Sequence, residues 1–98
     1  MRMIRSVKGS ATRQFMTKGR SSFSGLDVAL ALRRLSELNA AANLSELSPL
    51  KSLGLHKLKG DRKGHWAINV NGPWRIVFRF EDGDAHDVEI VDYHQQAW

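Results

Sequence analysis

Two hydrophobic periods divide the chain. In the first half, Val28, Leu32, Leu35 and Leu38 or Asn39 recur at helical spacing, while Arg33, Arg34 and Glu37 fall off that stripe. The pattern predicts a helix with its leucines on a core and its arginines toward solvent or a partner. Ser24-Gly25-Leu26-Asp27 has the S-x-x-D form of a capping box and opens this helix, and Asn39 to Asn43 ends it. Upstream, Met3 to Val7 reads as a short edge strand. Ser10 reads as the cap of a short helix running to Gly19, a C′ residue, followed by the polar loop Arg20 to Phe23. Ser45 to Gly54, with Pro49 and two short leucine-containing turns, reads as a linker packed on the surface.

In the second half the period falls to two. Trp66, Ile68 and Val70 alternate with His65, Ala67, Asn69 and Asn71, and Trp74, Ile76, Phe78 and Phe80 alternate with Arg75, Val77 and Arg79. Both segments are half-buried strands. A two-residue Asn71-Gly72 loop between them would set Val70 opposite Pro73 and mix the two faces. A three-residue loop sets Val70 opposite Trp74 and Ile68 opposite Ile76, so the longer or bulged turn is expected. By the same parity the Glu81 to Asp84 turn brings Val88 and Ile90 onto the apolar face and leaves Asp87, Glu89 and Val91 beside Arg75, Val77 and Arg79. One face of the sheet then meets the helices, and the other is charged and open.

A length of 98 residues, 42% of them hydrophobic, supports one domain over the whole chain with a single core. No stretch is long and apolar enough to span a membrane, and the basic Met1 to Ser10 segment is not followed by an apolar run of the kind a secretory signal needs. The absence of cysteine leaves no disulfide and no thiolate metal ligand, so a cytoplasmic address is the simplest expectation. The charge is uneven along the chain. All 15 Lys and Arg lie in residues 1–80, against Asp27, Glu37, Glu46 and Asp61, whereas residues 81–98 carry six carboxylates and neither Lys nor Arg. This asymmetry points to a polyanionic partner, a nucleic acid foremost; the competing readings are an acidic protein partner, or an acidic last strand that neutralises its basic neighbours.

Three segments on or near the open face carry candidate chemistry. Two glycines in Leu55 to Gly64 frame a turn with Asp61, Arg62 and Lys63 just after Lys59, where backbone amides and cations can meet a phosphate; a plain solvated turn is the alternative. The second segment is the Asn71-Gly72-Pro73-Trp74-Arg75 hairpin. In the third, Asp92-Tyr93-His94 places an acid, a phenol and an imidazole at the end of a strand. There His94 is able to exchange a proton near neutral pH and Tyr93 to stack on an unpaired base or donate to a phosphate, unless the segment is a frayed terminus. RNA supplies its own nucleophile, the 2′-hydroxyl. Two imidazoles, His56 and His94, with one arginine therefore suffice to remove that proton, steady the phosphate and protonate the departing 5′ oxygen. His65 and His86 read as structural, and without cysteines or a tight H-x-x-x-H spacing no metal site or other cofactor is expected.

The run His56-Lys57-Leu58-Lys59-Gly60-Asp61-Arg62-Lys63-Gly64, then Trp66, Val70 to Ile76, Phe78 to Ala85, and Asp87-Val88 to Asp92-Tyr93-His94 resembles the HigB toxins of the RelE/ParE superfamily. The likeness spans nearly the whole chain. It implies an α+β fold, in which an N-terminal strand and two helices pack on one face of a curved, mainly antiparallel sheet. It also implies a metal-independent endoribonuclease that cleaves translated mRNA on the ribosome and is silenced by a HigA-like helix-turn-helix antitoxin. Carried onto this chain, the catalytic group is His56, Asp92, Tyr93 and His94, with Arg75 near the scissile phosphate. Lys57, Lys59, Arg62, Lys63 and Arg79 form the RNA- and ribosome-binding contacts. The departures lie at the ends, where Met3 is an alternative start and Gln95 to Trp98 extends past His94. A rival is a non-enzymatic toxin of the ParE kind that blocks a protein target such as a topoisomerase, and the Asp92-Tyr93-His94 ending speaks against it. A second rival is a plain RNA- or ribosome-binding module, in which the basic face matters and the imidazoles do not.

Overall fold

The computed structural model describes residues 4–18, 21, 23–40, 54–58 and 64–92. Its elements run α1 (Ser10–Lys18), α2 (Val28–Ala40), β1 (His56–Lys57), β2 (His65–Asn69), β3 (Trp74–Glu81) and β4 (Asp84–Asp92). The strands form one antiparallel sheet in the order β1-β2-β3-β4, with the two helices packed against it in an α+β arrangement. Among the described residues no helix is long and apolar enough to cross a membrane.

The register follows the parity argument. Ile68 pairs with Ile76, and the Val70 amide donates to the Trp74 carbonyl across the Asn71–Pro73 loop. Gly72 at φ +51° makes that turn, a conformation glycine adopts without the Cβ penalty. Asp82 and Gly83, both at positive φ, close the next hairpin between Glu81 and Asp84, the geometry that an Asp-Gly pair favours. Phe15 of α1 and Ala31, Leu35 and Leu38 of α2 bury against Ile68, Val70, Trp74, Ile76, Phe78, Ala85, Val88 and Ile90. Phe23 stands edge-on to both Phe15 and Trp74 and joins the helices to the β2–β3 turn.

Several local expectations change. The N-terminal segment is not a regular strand: it runs parallel to β4 and touches it through isolated bridges at Ile4–Ala85 and Val7–Val88. Its polar anchors are the Ile4 amide donating to Asn39 Oδ1 and Ser6 Oγ accepting from the Asp87 amide. Ser10 lies inside α1, and Gly9 precedes the helix, its carbonyl accepting from the Arg13 amide. At α2 the cap is Asp27 itself, whose Oδ1 accepts from the Leu30 amide, so Ser24 to Asp27 is a turn before the helix rather than a capping box. The buried stripe of α2 is Ala31, Arg34, Leu35 and Leu38, while Val28 and Leu32 are 37% and 48% exposed. The small Ala31 lets the helix approach the sheet. Arg34 buries its stem because its guanidinium reaches Glu37 at 3.0 Å and the Asn69 carbonyl at 3.3 Å. The far face of the sheet also differs from the open, charged surface expected, since Leu58, Ala67, Val77 and Val91 form a second buried apolar cluster there. The expected C′ at Gly19, the end of α2 beyond Ala40, and the linker up to residue 53 lie outside the described residues.

Candidate active site

The face of the sheet away from the helices carries His56, Arg75, Arg79 and Glu89 around that second apolar cluster. His56 pairs with Ala67, Asn69 with Arg75, Arg75 with Val91, and Val77 with Glu89. Side chains of directly paired strand residues share a face, so His56 and Arg75 belong to the same surface. With β2 between them and a two-residue offset, their Cα atoms stand roughly 12 Å apart.

Each of these two side chains is anchored by a backbone carbonyl. His56 Nδ1 lies 2.8 Å from the Gly54 carbonyl oxygen, which only accepts, so Nδ1 carries a proton and Nε2 carries the lone pair of the neutral ring. Gly54 sits at φ +57°, and its Cα lies so close to the Asn69 amide that an added methyl group would overlap it. Arg75 Nη1 donates to the Gly72 carbonyl at 2.8 Å and to the Trp74 carbonyl at 2.9 Å, folding the guanidinium over the β2–β3 turn. A half-buried imidazole with a defined tautomer and a guanidinium held by a tight turn are suited to proton transfer and to stabilising phosphate charge.

The other expected residues are distributed differently. Asp92 is half-buried at the end of β4 and pairs with Trp74, one position beyond the Arg75–Val91 pair, in the register that faces the helices. Lys57 is exposed and pairs with Trp66, its ammonium 5.6 Å from the ring centroid, a cation–π arrangement. Arg79 is engaged twice, with Glu81 at 2.6 Å and Asp87 at 3.1 Å. The hydrogen bonds it donates to Glu81 and Asp87 raise its pKa, and the bond from Arg79 in turn holds the Asp87 carboxyl below its ordinary range, helped by the charges of His65 and Lys8. Asp87 sits at φ +55° where the β3–β4 register shifts, so the bulge aims its carboxylate at Arg79. Lys59, Arg62, Lys63, Tyr93 and His94 lie outside the described residues, although Tyr93 and His94 directly follow β4 in sequence.

His65 pairs with Arg79 on the same face, and its Nδ1 is buried without a hydrogen-bond partner. Among the described residues no group of three His, Asp or Glu side chains is arranged to hold a metal ion. The sequence reading missed Gly54 as the anchor of His56, and Asn69 and Asn71 as packing partners of the site. A backbone acceptor leaves no signature in residue type; the positive φ at Gly54 is the one feature a glycine hints at.

The HigB-like toxin family, described as the RelE-like toxin of the type II toxin-antitoxin system HigB, matches residues 11–94. A relative from Proteus vulgaris, named endoribonuclease HigB, is 39% identical over 93 residues that cover 94% of this chain and all of the relative.

Proposed function

From the chain's membership of the HigB-like family of RelE-like toxins of type II toxin–antitoxin systems, we propose that it is an endoribonuclease that cuts mRNA on the translating ribosome. A toxin of such a pair has an antitoxin partner; here that partner is a HigA-like helix-turn-helix protein, and the site of action is the cytoplasm.

The observation that carries this reading is the placement of His56 and Arg75 on one sheet face, each held by backbone carbonyls, with Arg75 next to β4, the strand that leads into Tyr93 and His94. One imidazole takes the proton of the RNA 2′-hydroxyl. The 2′ oxygen attacks the adjacent phosphorus, the bond to the 5′ oxygen breaks, and the second imidazole protonates that oxygen. The products are a 2′,3′-cyclic phosphate and a 5′-hydroxyl, formed without any protein-bound metal. Arg75 stabilises the charge that builds on the phosphate, and Tyr93 stacks on a base or donates to the phosphate; Asp92, which the register turns toward the helices, acts from the rim at the end of β4 by orienting a neighbouring imidazole or base. Lys57, Lys59, Arg62 and Lys63 approach the RNA backbone, and Arg79, shared between Glu81 and Asp87, contributes less charge to it.

Mapping of mRNA 5′ ends after brief expression tests the reading. New ends confined to translated frames are expected; growth arrest with intact mRNA would instead mark a toxin that blocks a protein target.

A further inference from the structure

The β2–β3 turn does more than connect two strands. The Asn71 side chain spans it to the segment before α2, with Oδ1 accepting from the Asp27 amide at 2.8 Å and Nδ2 donating to the Gly25 carbonyl at 2.9 Å. Trp74 adds a third tie, its Nε1 donating to the Ser24 carbonyl at 3.2 Å. The same turn closes on itself through the Trp74 amide, which donates to the Asn71 carbonyl. Two carbonyls of this clamped segment, those of Gly72 and Trp74, receive Arg75 Nη1.

We propose that Asn71 is a positioning residue for the reaction, acting through Arg75 by locking the turn against the Ser24–Asp27 segment. This rests on the reading of Arg75 as the phosphate-stabilising group. The physical reason is leverage. A hairpin turn tied only by its own strands shifts on fast timescales, and a guanidinium held by the turn's carbonyls shifts with it. An amide bonded at both ends, to a donor and an acceptor 44 and 46 positions away in sequence, removes that freedom. A donor displaced by about 1 Å from developing charge loses much of its effect on the rate. An ionised aspartate offers acceptors alone and a serine a single hydroxyl, so neither reproduces the pair of bonds that the Asn71 carboxamide makes with its oxygen and nitrogen side by side. The helix-side segment thereby becomes part of the machinery on the far face of the sheet.

The test is a four-protein cycle of wild type, Asn71→Ala, Arg75→Ala and the double variant. Single-turnover cleavage is measured on programmed ribosomes alongside ribosome binding. Trp74→Phe, which keeps an aromatic ring beside Phe23 but removes the Nε1 tie and some core volume, is measured alongside in case Asn71→Ala folds poorly. Asn71→Ala is expected to slow cleavage about tenfold or more with Kd changed less than twofold, and to slow the Arg75→Ala protein no further. Trp74→Phe is expected to act in the same direction with a smaller effect. The Arg75 Nε–Hε group is expected to gain fast motion in the NMR relaxation of both Asn71→Ala and Trp74→Phe. An unchanged rate in folded Asn71→Ala, or an equal additional loss on the Arg75→Ala background, overturns the positioning role while leaving that of Arg75 intact. Full activity in Arg75→Ala overturns the assignment of Arg75, and the positioning role with it. If Asn71→Ala does not fold, a rate and an Arg75 motion unchanged by Trp74→Phe overturn the proposal.

Discussion

At Gly54 the backbone adopts φ +57°, its carbonyl fixes the proton of His56 on Nδ1, and any added methyl group overlaps the Asn69 amide. Gly54→Ala therefore strains the backbone by about 1–2 kcal/mol before the overlap is counted. The expected result is a Tm lowered by roughly 5–15 °C, with cleavage reduced further than stability alone explains because His56 is released. Thermal melts and single-turnover rates on one preparation separate the two effects, and an unchanged rate in the folded variant would show that the His56 anchor is dispensable. At Arg75, removing a donor held against developing charge typically costs about 3–4 kcal/mol in the barrier, so Arg75→Ala is expected to cut the cleavage rate by two to three orders of magnitude with ribosome binding nearly intact. Equal activity with a lower Tm would reduce Arg75 to a cross-strand stabiliser. His56 was legible as a candidate from residue type and Arg75 as a far-face cation from parity, and the family resemblance gave Arg75 its place near the phosphate. Their carbonyl anchors were not, because a backbone acceptor 2.8 Å away is a property of the folded turn and not of any side chain.

Among the elements, β3 and β4 show where pattern reading succeeds. One register buries Ile68, Ile76 and Ile90 together; β2 and β3 reach it by alternation alone, and β4 reaches it past the register shift between Val77 and Arg79. For α2 the leucine spacing misled by about a quarter turn, because Ala31 permits close approach to the sheet and Arg34 finds its carbonyl acceptor at Asn69, 35 positions away. The Asp87 bulge was equally invisible, since its φ of +55° answers to the Arg79 bond and to Ser6 rather than to local sequence. That bulge carries a pH signature. The Asp87 pKa is lowered chiefly by the Arg79 hydrogen bond, so its contribution is complete above the unfolded carboxylate range and is lost as pH falls through the folded value. Tm is expected to drop between about pH 5 and pH 2, with Asp87→Asn, which tolerates positive φ, showing a shallower drop and a lower Tm at neutral pH. With its side chain 43% exposed, the Asp87 effect is small and weakens with salt. A pH dependence identical in Asp87→Asn and wild type would remove the ion pair from the account.

On the scale of the whole molecule, the helices cover one side of the sheet and leave His56 and Arg75 on the other, so those two side chains and the helix-side core meet only through the sheet and its turns. A chain ending at Val91 keeps Val88 and Ile90, the last apolar positions facing the helices, and loses Asp92, Tyr93 and His94 together. It is expected to fold with a modestly lower Tm and to cut no mRNA, whereas a chain ending at His94 remains active; a folded, fully active Val91 truncation would move the chemistry elsewhere. The central claim, cleavage by attack of the RNA's own 2′-hydroxyl, is read most directly from the ends of the cut strand. Purified toxin acting on ribosomes programmed with a defined mRNA, with magnesium kept at the level ribosomes need and transition metals chelated, is expected to leave a 2′,3′-cyclic phosphate upstream and a 5′-hydroxyl downstream. A 5′-phosphate with a 3′-hydroxyl, or cleavage restored only by a transition metal, would contradict it.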